Sequence, residues 1–317
     1  MPAALSAVAR SVPIASASEP APMTGELVPD RPVFVGGTGR SGTTIAGRLL
    51  GRHHDLRATN PRELRFIASR GGVADAYAGL VSPQQVVDAL WEHWYVRIKP
   101  SGARSGLFRR LDEQAMRAAC EEYVAAFAED PARASRHFAE SIVSSGKWAD
   151  AQSRGEGKAR WVDTTPANAR AADRVLALFP DGVVVHMMRD GRDVAASFVS
   201  KPFGPTDVFT ALEEWRERMI DAHRAEAACP PGRFLRVDLH ELTVTDRDAT
   251  LAALLEGIGV GPDRRLSQWF DGNVLPQQAH IGRWRRDYDD ATAARIDARY
   301  EEILAEFDAA GVPYPTS

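Results

Sequence analysis

The segment VFVGGTGRSGTT, residues 33–44, constrains the fold of this chain more than any other stretch. A short apolar run enters a glycine-rich turn, and a helical pattern, GTTIAGRLLGRHH, follows at 42–54. Glycines allow the backbone to turn so that several N–H groups face one anion, and the helix adds its positive N-terminal end. The segment therefore predicts a buried strand, a phosphate-binding loop and a helix, in that order.

The loop departs at one position from the pattern of nucleoside triphosphatases. Gly37 and Gly42 keep their spacing, but Thr43 stands where those enzymes carry a lysine that reaches the β- and γ-phosphates. The cation lies inside the loop instead, as Arg40. We therefore expect a smaller donor, with a single phosphate that carries one further anionic group. An ordinary strand–helix turn that happens to contain glycines is the other interpretation.

Strand and helix patterns alternate along the rest of the chain. Further strands are predicted in RWVDTTP, GVVVHMMR and RFLRVDL, at 160–166, 182–189 and 233–239. Helical patterns lie at 168–179, 191–200 and 207–228. Such alternation predicts an α/β fold of the P-loop-like, three-layer type, with helices on both faces of a central, mostly parallel sheet.

One large domain accounts for most of the chain of 317 residues. Residues 1–30 are rich in alanine, proline and serine, which predicts a flexible tail. Residues 31–317 form the domain, and the amphipathic patterns at 71–159 predict a helical insertion within it.

Composition excludes several classes of protein. The formal net charge of −4 argues against a non-specific nucleic-acid binder. No apolar run approaches the ~20 residues of a membrane span, and Arg10 interrupts the apolar stretch of the tail, which makes a secretory signal a poor match. Cys120 and Cys229 lack metal-type spacing, and two thiols make no disulfide framework. We therefore expect a cytoplasmic protein, with Cys120 as a small buried residue.

A second motif lies at HMMRDGRDVAASF, residues 186–198. Arg189 at the end of a strand and Ser197 two turns into the next helix can converge on one phosphate. Together with TGRSGTT, this motif resembles the sulfotransferases that use 3′-phosphoadenosine 5′-phosphosulfate, in particular bacterial members related to the carbohydrate and tyrosylprotein types. RDGRDVAASF is similar to their 3′-phosphate segment, R-(D/N)-P-x-D-x-x-x-S, with Gly191 where the family often has proline.

The resemblance implies transfer of a sulfuryl group from 3′-phosphoadenosine 5′-phosphosulfate to a hydroxyl of a small molecule or glycan, without a metal ion. TGRSGTT is similar to the family's 5′-phosphosulfate loop, and HIGRWRRD at 280–287 resembles the late loop that closes over the cofactor. The implied product is adenosine 3′,5′-bisphosphate. The implied cofactor contacts are Gly39, Arg40, Ser41, Gly42, Thr43, Thr44, Arg189, Ser197, Arg283 and Trp284. In catalysis, Arg40 would also stabilise the departing phosphate.

Glu63 is the candidate general base. RELRF, residues 62–66, resembles the (K/P)E-x-x-F segment of the bacterial, Golgi carbohydrate and tyrosylprotein enzymes, whose glutamate takes the proton. A surface carboxylate paired with Arg62 or Arg65 is the other interpretation. Cytosolic members of the family use a histidine instead, and His54 is the rival candidate in this chain.

One stretch departs from the family pattern. Related enzymes often have Lys-x-Pro where this chain has Thr164, Thr165 and Pro166, and that lysine assists the leaving phosphate. Either Arg40 has this role alone or another cation such as Lys201 contributes. The threonines and Asn168 either bind the donor or acceptor, or cap a helix that begins near residue 167.

The acceptor side is expected in the insertion at 71–159 and in KPFGPT at 201–206. The insertion offers aromatic surface that suits an aromatic or lipidic alcohol or a sugar, although the helical spacing also fits a core: Trp91, Trp94, Tyr95 and Phe108. No nucleic-acid partner is expected, and the oligomeric state stays open.

Two other functions remain at this point. A small-molecule kinase would need a lysine in the loop and an acidic magnesium ligand, for which Asp163 is the candidate. A non-catalytic nucleotide-binding module would keep both phosphate sites and lose the base.

Overall fold

A parallel sheet forms the centre of the protein. The structure is a computed structural model that describes residues 31–98, 101–145 and 160–315, so the expected tail at 1–30 lies outside the described residues. Five strands of the described chain form this sheet in the order β2-β5-β1-β6-β7, and every pairing in it is parallel. The strands, numbered along the chain, are β1 Val33–Gly37, β2 Leu56–Ala58, β3 Arg97–Ile98, β4 Arg104–Ser105, β5 Arg160–Asp163, β6 Val183–Met188 and β7 Phe234–Asp238.

Helices follow or connect these strands. Short 3₁₀ or π segments lie between some of them, among them Pro166–Asn168 directly after β5. The α-helices of the described ranges are α1 Thr43–Leu50, α2 Val73–Tyr77, α3 Pro83–Ala89, α4 Glu113–Phe127, α5 Pro131–Ser145, α6 Ala172–Leu178, α7 Gly191–Val199, α8 Val208–Ala227, α9 Arg247–Gly257, α10 Arg264–Asn273, α11 Pro276–Ala279, α12 Arg283–Asp287 and α13 Asp290–Ala310.

Strand β1 lies at the middle of the sheet and is buried on both faces. Phe34 points into a cluster formed with α2 to α6, whereas Val33 and Val35 point into a second cluster with α1, α9 and α10. Successive side chains of a strand face opposite sides, so apolar residues in an unbroken run need cover on both sides. The predicted three-layer α/β fold is therefore confirmed, and the five-stranded sheet is entirely parallel.

A third apolar cluster lies beside the sheet and joins α7, α8, α12 and α13. The last helix, α13, contributes an apolar stripe to it: Ile296, Tyr300, Ile303 and Phe307 are buried and Leu304 is partly buried. Trp215 of α8 lies at its centre and is fully buried. This cluster holds α7, the helix that follows β6, against α8 and α13.

The insertion is mostly helical in its described part, which ends at residue 145. Helices α4 and α5 agree with the predicted pattern, and Cys120 is buried as expected. Two features were not predicted, the short edge strand β2 and the β3–β4 hairpin inside the insertion. Strands of two or three residues carry too little alternation to be recognised in a sequence.

His186 lies inside β6 and is a core residue. Its ring packs edge-on against Phe234, with centroids 5.7 Å apart. Burial, with the neighbouring charge of Arg236, lowers the pKa of His186 to about 3, so the imidazole is neutral at physiological pH.

None of the described helices combines the length and the apolar character that crossing a bilayer requires.

Candidate active site

A cavity of about 530 Å³ opens at the carboxyl edge of the sheet. The segments after all five strands contribute to its lining: Arg40 after β1, Glu63 after β2, Thr165 after β5, Arg189 after β6 and Leu239 after β7. Parallel strands end at one edge, and ligands of open α/β sheets bind there. The residues that the sequence assigned to separate motifs therefore meet around one space.

The glycine-rich loop forms the floor of this cavity. Gly39 and Gly42 have φ angles of 82° and 98°, in the left-handed region that favours glycine. Within the described chain, the backbone N–H groups of residues 39–42 donate to no acceptor, and helix α1 begins at Thr43 directly after them. Unpaired amides in front of a helix N-terminus form an anion-binding cradle.

The two sequence motifs contact each other. The Nε of Arg40 donates to the hydroxyl of Ser197 at 3.0 Å. The Nη1 of Arg189 donates to the carbonyl oxygen of Arg40 at 3.0 Å, and its Nη2 donates to the carbonyl oxygen of His280 at 3.1 Å. The loop after β1, the helix after β6 and the late loop are thus joined at one point.

Buried polar atoms at this point lack partners. The hydroxyl of Ser41, at 0% exposure, and the Nε of Arg189 have none among the described residues. Burial, with the nearby charges of Arg40 and Arg283, lowers the pKa of Arg189, although Asp193 opposes this shift. Buried donors and crowded cations are costly unless an anion neutralises them. The residues present therefore fit a phosphate-bearing ligand.

The late loop is fixed to α7 by Asp193. This carboxylate accepts the N–H of Gly282 at 3.0 Å and the N–H of Trp284 at 3.3 Å. It also lies 3.6 Å from the guanidinium of Arg189. Arg283 pairs with Asp287 at 2.5 Å and stays close enough to Arg40 and Arg189 to affect their pKa values.

Trp284 does not line the cavity, contrary to the expectation that it covers a nucleotide. The indole is 2% exposed and packs into the cluster of α7, α8 and α13. The guanidinium carbons of Arg192 and Arg285 lie 4.8 and 4.2 Å from its ring centroid. A large apolar ring is more stable when it is buried against helices, so this residue anchors the late loop.

Glu63 lines the cavity and is one third exposed. Its Oε2 accepts two hydrogen bonds from Arg65, at 2.8 Å from Nε and 2.6 Å from Nη2. No described residue bonds to its Oε1. Glu63 thus pairs with Arg65, as the second interpretation expected, and also presents a carboxylate oxygen at the cavity; its role as base stays a prediction.

A buried network holds the Glu63 segment. Asp163, at 0% exposure, accepts hydrogen bonds from the N–H of Leu64 at 2.8 Å, the hydroxyl of Thr165 at 3.0 Å and the amide of Asn168 at 2.9 Å. The Thr165 hydroxyl in turn accepts the N–H of Arg65 at 3.1 Å. The side chains of Thr165 and Asn168 thus bind Asp163 and do not cap the following helix.

The same network bears on the kinase hypothesis. Burial raises the pKa of Asp163 to about 6, and both of its carboxylate oxygens accept hydrogen bonds from protein donors. A magnesium ligand needs a free, ionised oxygen. Asp163 is therefore unsuited to that role.

The backbone is strained at three residues around the cavity. Arg40, Arg65 and His280 have φ angles of 59°, 30° and 50°, and they are the non-glycine residues with positive φ in the described ranges. All three line the cavity. Such conformations persist where the surrounding structure imposes them, and they cluster at functional sites.

The rival candidates lie elsewhere. His54 follows the C-terminal end of α1, at the opposite edge of the sheet, where its Nδ1 lies 2.6 Å from Asp263. Thr164 donates to the carbonyl oxygen of Arg62 and packs against Gly47, where a Cβ atom would lie 2.2 Å from its methyl group. A side chain at the family's lysine position would therefore face α1, and Lys201 does not line the cavity either.

The two segments that were expected to form the acceptor side, 71–159 and 201–206, lie differently with respect to the cavity. No described residue of 71–145 lines the cavity. The four aromatic residues that were named as a possible acceptor surface belong to or pack against the apolar cluster of the insertion: Trp91, Trp94, Tyr95 and Phe108. Arg97 of β3 still lies close enough to Arg65 and Glu63 for their charges to act on its pKa. Partial burial and Arg65 lower that pKa, and Glu63 opposes the shift. Phe203, from the 201–206 segment, does line the cavity.

A family model described as the sulfotransferase family matches residues 32–263. This chain belongs to the sulfotransferase family. An uncharacterised protein of Aquifex aeolicus (strain VF5) is 25% identical over 284 residues, which cover 86% of this chain and 31% of that protein. The chain thus spans about a third of that relative's length.

Solved structures resemble this chain. The sulfotransferase domain of the Synechococcus PCC 7002 olefin synthase has a TM-score of 0.51 and 17% identity, over 89% of this chain and 97% of that domain. A sulfotransferase of Mycobacterium tuberculosis H37Rv has a TM-score of 0.48 and 17% identity, over 86% and 77% of the two chains. At such identity the olefin synthase domain shows a shared fold alone.

Three of the lining arginines were not singled out from the sequence, namely Arg48, Arg170 and Arg218. Arg48 lies one helical turn after Thr44, so its position could have been found from the helix period. Arg218 lies on α8, in the third turn of that helix and outside every motif, and the sequence held no signal that it reaches the glycine-rich loop.

Proposed function

We propose that this sulfotransferase uses 3′-phosphoadenosine 5′-phosphosulfate as donor and sulfates a hydroxyl group of a small molecule or glycan. The observation that supports this donor is the contact between the two motifs, Arg40 to Ser197 and Arg189 to the Arg40 carbonyl, both at 3.0 Å. A ligand with anionic groups at two ends of one nucleoside needs two adjoining anion sites of this kind.

The residues of the two motifs would divide among the parts of the donor, although Ser41, Ser197 and Arg283 do not themselves line the cavity. The free N–H groups of the loop, with Ser41, Thr43 and Thr44, would hold the 5′-phosphosulfate. Arg189, Ser197 and Arg283 would hold the 3′-phosphate. An apolar wall, fit for an adenine ring, consists of Ile45, Leu239, Val274 and Leu275.

When bound, the donor supplies the sulfuryl group, whose bond to the phosphate oxygen breaks with the electron pair left on phosphate as the acceptor oxygen bonds to sulfur. Glu63 takes the acceptor proton on Oε1, because Arg65 occupies Oε2. Arg40 and the loop N–H groups stabilise the negative charge that develops on the phosphate.

Binding of adenosine 3′,5′-bisphosphate tests the donor directly. We expect thermal stabilisation by this compound and none by ATP with magnesium. Ser197→Ala removes a hydroxyl from the phosphate site and should weaken bisphosphate binding about 10-fold or more, since hydrogen bonds to charged groups contribute about 1.5–3 kcal/mol. Ser200→Ala is the matched control directly after α7, because within the described chain its hydroxyl bonds to the Ser197 carbonyl and to no other group.

The outcomes separate the three functions. Bisphosphate binding with donor-dependent sulfation across a library of hydroxyl compounds supports the proposal. Stabilisation by magnesium ATP alone supports the kinase. Bisphosphate binding with no sulfation of any member of the library supports a non-catalytic binding module. Equal bisphosphate affinity of Ser197→Ala and the wild type would contradict the assignment of the 3′-phosphate site.

A further inference from the structure

Arginine dominates the charged lining of the cavity. Glu63 is the carboxylate among its described lining residues, whereas the guanidinium groups there belong to Arg40, Arg48, Arg65, Arg170, Arg189 and Arg218. Under the proposed function, Arg40 and Arg189 serve the donor, and Arg65 is neutralised by Glu63. Arg218 pairs with Glu214, which does not line the cavity, so Arg48 and Arg170 are the lining cations outside the donor's set that have no ion pair within the described chain.

Two of the remaining arginines lie close together. Burial, and next the charge of Arg218, lowers the pKa of Arg170. Arg218 is held in place, since it donates to the Thr38 carbonyl at 2.7 Å, pairs with Glu214 at 2.6 Å and lies over the Phe198 ring. Arg170 has neither a hydrogen bond nor an ion pair among the described residues. The charge of Asp221 opposes this lowering but makes no direct ion pair with Arg170. A partly buried cation without a direct partner is costly unless a ligand supplies one.

The strand order separates Arg170 from the 3′-phosphate site. Arg170 follows β5 and Glu63 follows β2, and these strands are neighbours on one side of β1. Arg189 and Ser197 follow β6, on the other side of β1. Arg170 is therefore on the side of the base, where the acceptor must lie for its hydroxyl proton to reach Glu63.

We propose that the acceptor is an anionic alcohol, whose carboxylate or phosphate group is bound by Arg170 and Arg218 while its hydroxyl lies beside Glu63. This inference rests on the proposed function. Arginine binds both kinds of anion through two parallel hydrogen bonds, which gives orientation as well as affinity. Phe198 and Phe203 line the same cavity and offer apolar contact to the carbon skeleton.

The bonds that form and break would be the same with an anionic alcohol as with a neutral one. The alcohol oxygen would form a bond to sulfur while the bond from sulfur to the donor's phosphate oxygen breaks and leaves its electron pair on phosphate. The alcohol proton would go to Oε1 of Glu63, and the anionic group of the acceptor would take no part in bond making. The two arginines thus decide which alcohol is held and leave the chemical step unchanged.

Matched acceptor pairs test this inference in the protein saturated with adenosine 3′,5′-bisphosphate. The pairs are 3-hydroxydecanoate and its methyl ester, 4-hydroxyphenylacetate and its methyl ester, and glycerol 3-phosphate and glycerol. Binding is measured by calorimetry, and kcat/KM is measured separately with the sulfuryl donor. The hydroxy acids and the phosphate ester distinguish the two kinds of anion.

We expect the charged member of at least one pair to bind about 10-fold or more tightly than its neutral partner. Arg170→Gln should bring this ratio close to one and leave bisphosphate affinity unchanged. Arg264→Gln, which removes an exposed charge from α10 outside the cavity, should keep the wild-type ratio.

Three results would overturn the inference. They are equal or better binding of the neutral member in every pair, an unchanged ratio in Arg170→Gln, and a loss of bisphosphate affinity in Arg170→Gln as large as in Arg189→Gln. Titration of the wild type with adenosine 3′,5′-bisphosphate tests the donor site independently of the acceptor. If the wild type fails to bind the bisphosphate, the proposed function itself is wrong.

Discussion

Replacing Gly191 with alanine tests how the 3′-phosphate segment is packed. Gly191 begins α7, and a Cβ atom built there would lie 2.5 Å from Cε3 and 2.6 Å from Cδ2 of Trp215. Carbon atoms normally approach to about 3.5–4.0 Å. This chain therefore has Trp215 in the space that a side chain, including the family's usual proline, would need.

The magnitude follows from what surrounds the indole. Trp215 is fully buried, and the rings of Tyr300 and Phe307 lie 5.5 and 5.4 Å from it, so it has little room to move. Overpacking of this kind costs about 1–3 kcal/mol. The lower entropy of unfolded alanine returns about 0.4–1 kcal/mol. We expect Gly191→Ala to lower the free energy of unfolding by about 1–2 kcal/mol.

Urea unfolding followed by circular dichroism measures this change. Gly272→Ala is the matched control, because its Cβ would meet nothing within 4 Å and its stability should stay equal or rise. Trp215→Leu should relieve the overlap, so alanine at 191 should cost at least 1 kcal/mol less in that background. An unchanged stability of Gly191→Ala, or an equal loss in both backgrounds, would refute the steric explanation.

Further predictions concern catalysis and pH dependence. Glu63→Gln should reduce sulfation turnover about 100-fold or more without weakening bisphosphate binding, and turnover near the wild-type value would contradict its role as base. Asp163→Asn should lower turnover more than bisphosphate affinity, because it disturbs the bonds to Leu64 and Thr165 that hold the Glu63 segment; equal losses in the two measurements would exclude this positioning role. The neutral ring of His186 stabilises the fold above pH 6.5, and this contribution is lost as the pH falls towards the folded pKa of about 3. His186→Leu should therefore lose about 1.4 kcal/mol less stability per pH unit between pH 6 and 4 in urea unfolding, and parallel pH profiles would contradict this.

Local sequence patterns were sufficient for the sheet centre and for the two motifs that contact each other. β1 and β6 are buried along their whole length and mostly apolar, with His186 as the polar residue of β6, and such runs are recognisable because both faces of a central strand are covered. Arg40, Arg189 and Ser197 could be found because a loop, a strand end and a helix turn constrain their spacing. Their mutual contact depends on strand order, which the sequence patterns alone left open.

Features that depend on distant contacts could not be predicted. Trp284 lies in a motif typical of a cofactor loop, yet its direction is decided by the helices packed over it. Thr164 faces α1 because Gly47 leaves space there. Arg218 reaches the loop from a helix that begins about 170 residues later in the chain, and no spacing rule links the two.

The strand order has a consequence for how the acceptor preference of this protein could change in evolution. β1 divides the proposed site into two halves, one built on β6 and β7 and the other on β2 and β5. Mutations that alter Arg170 or the residues around it can retarget the protein to new alcohols without rebuilding nucleotide recognition. Chimaeras that exchange only the segments after β2 and β5, which carry Glu63 and Arg170, should therefore change the acceptor preference and keep the cofactor affinity of the parent that supplies β6 and β7.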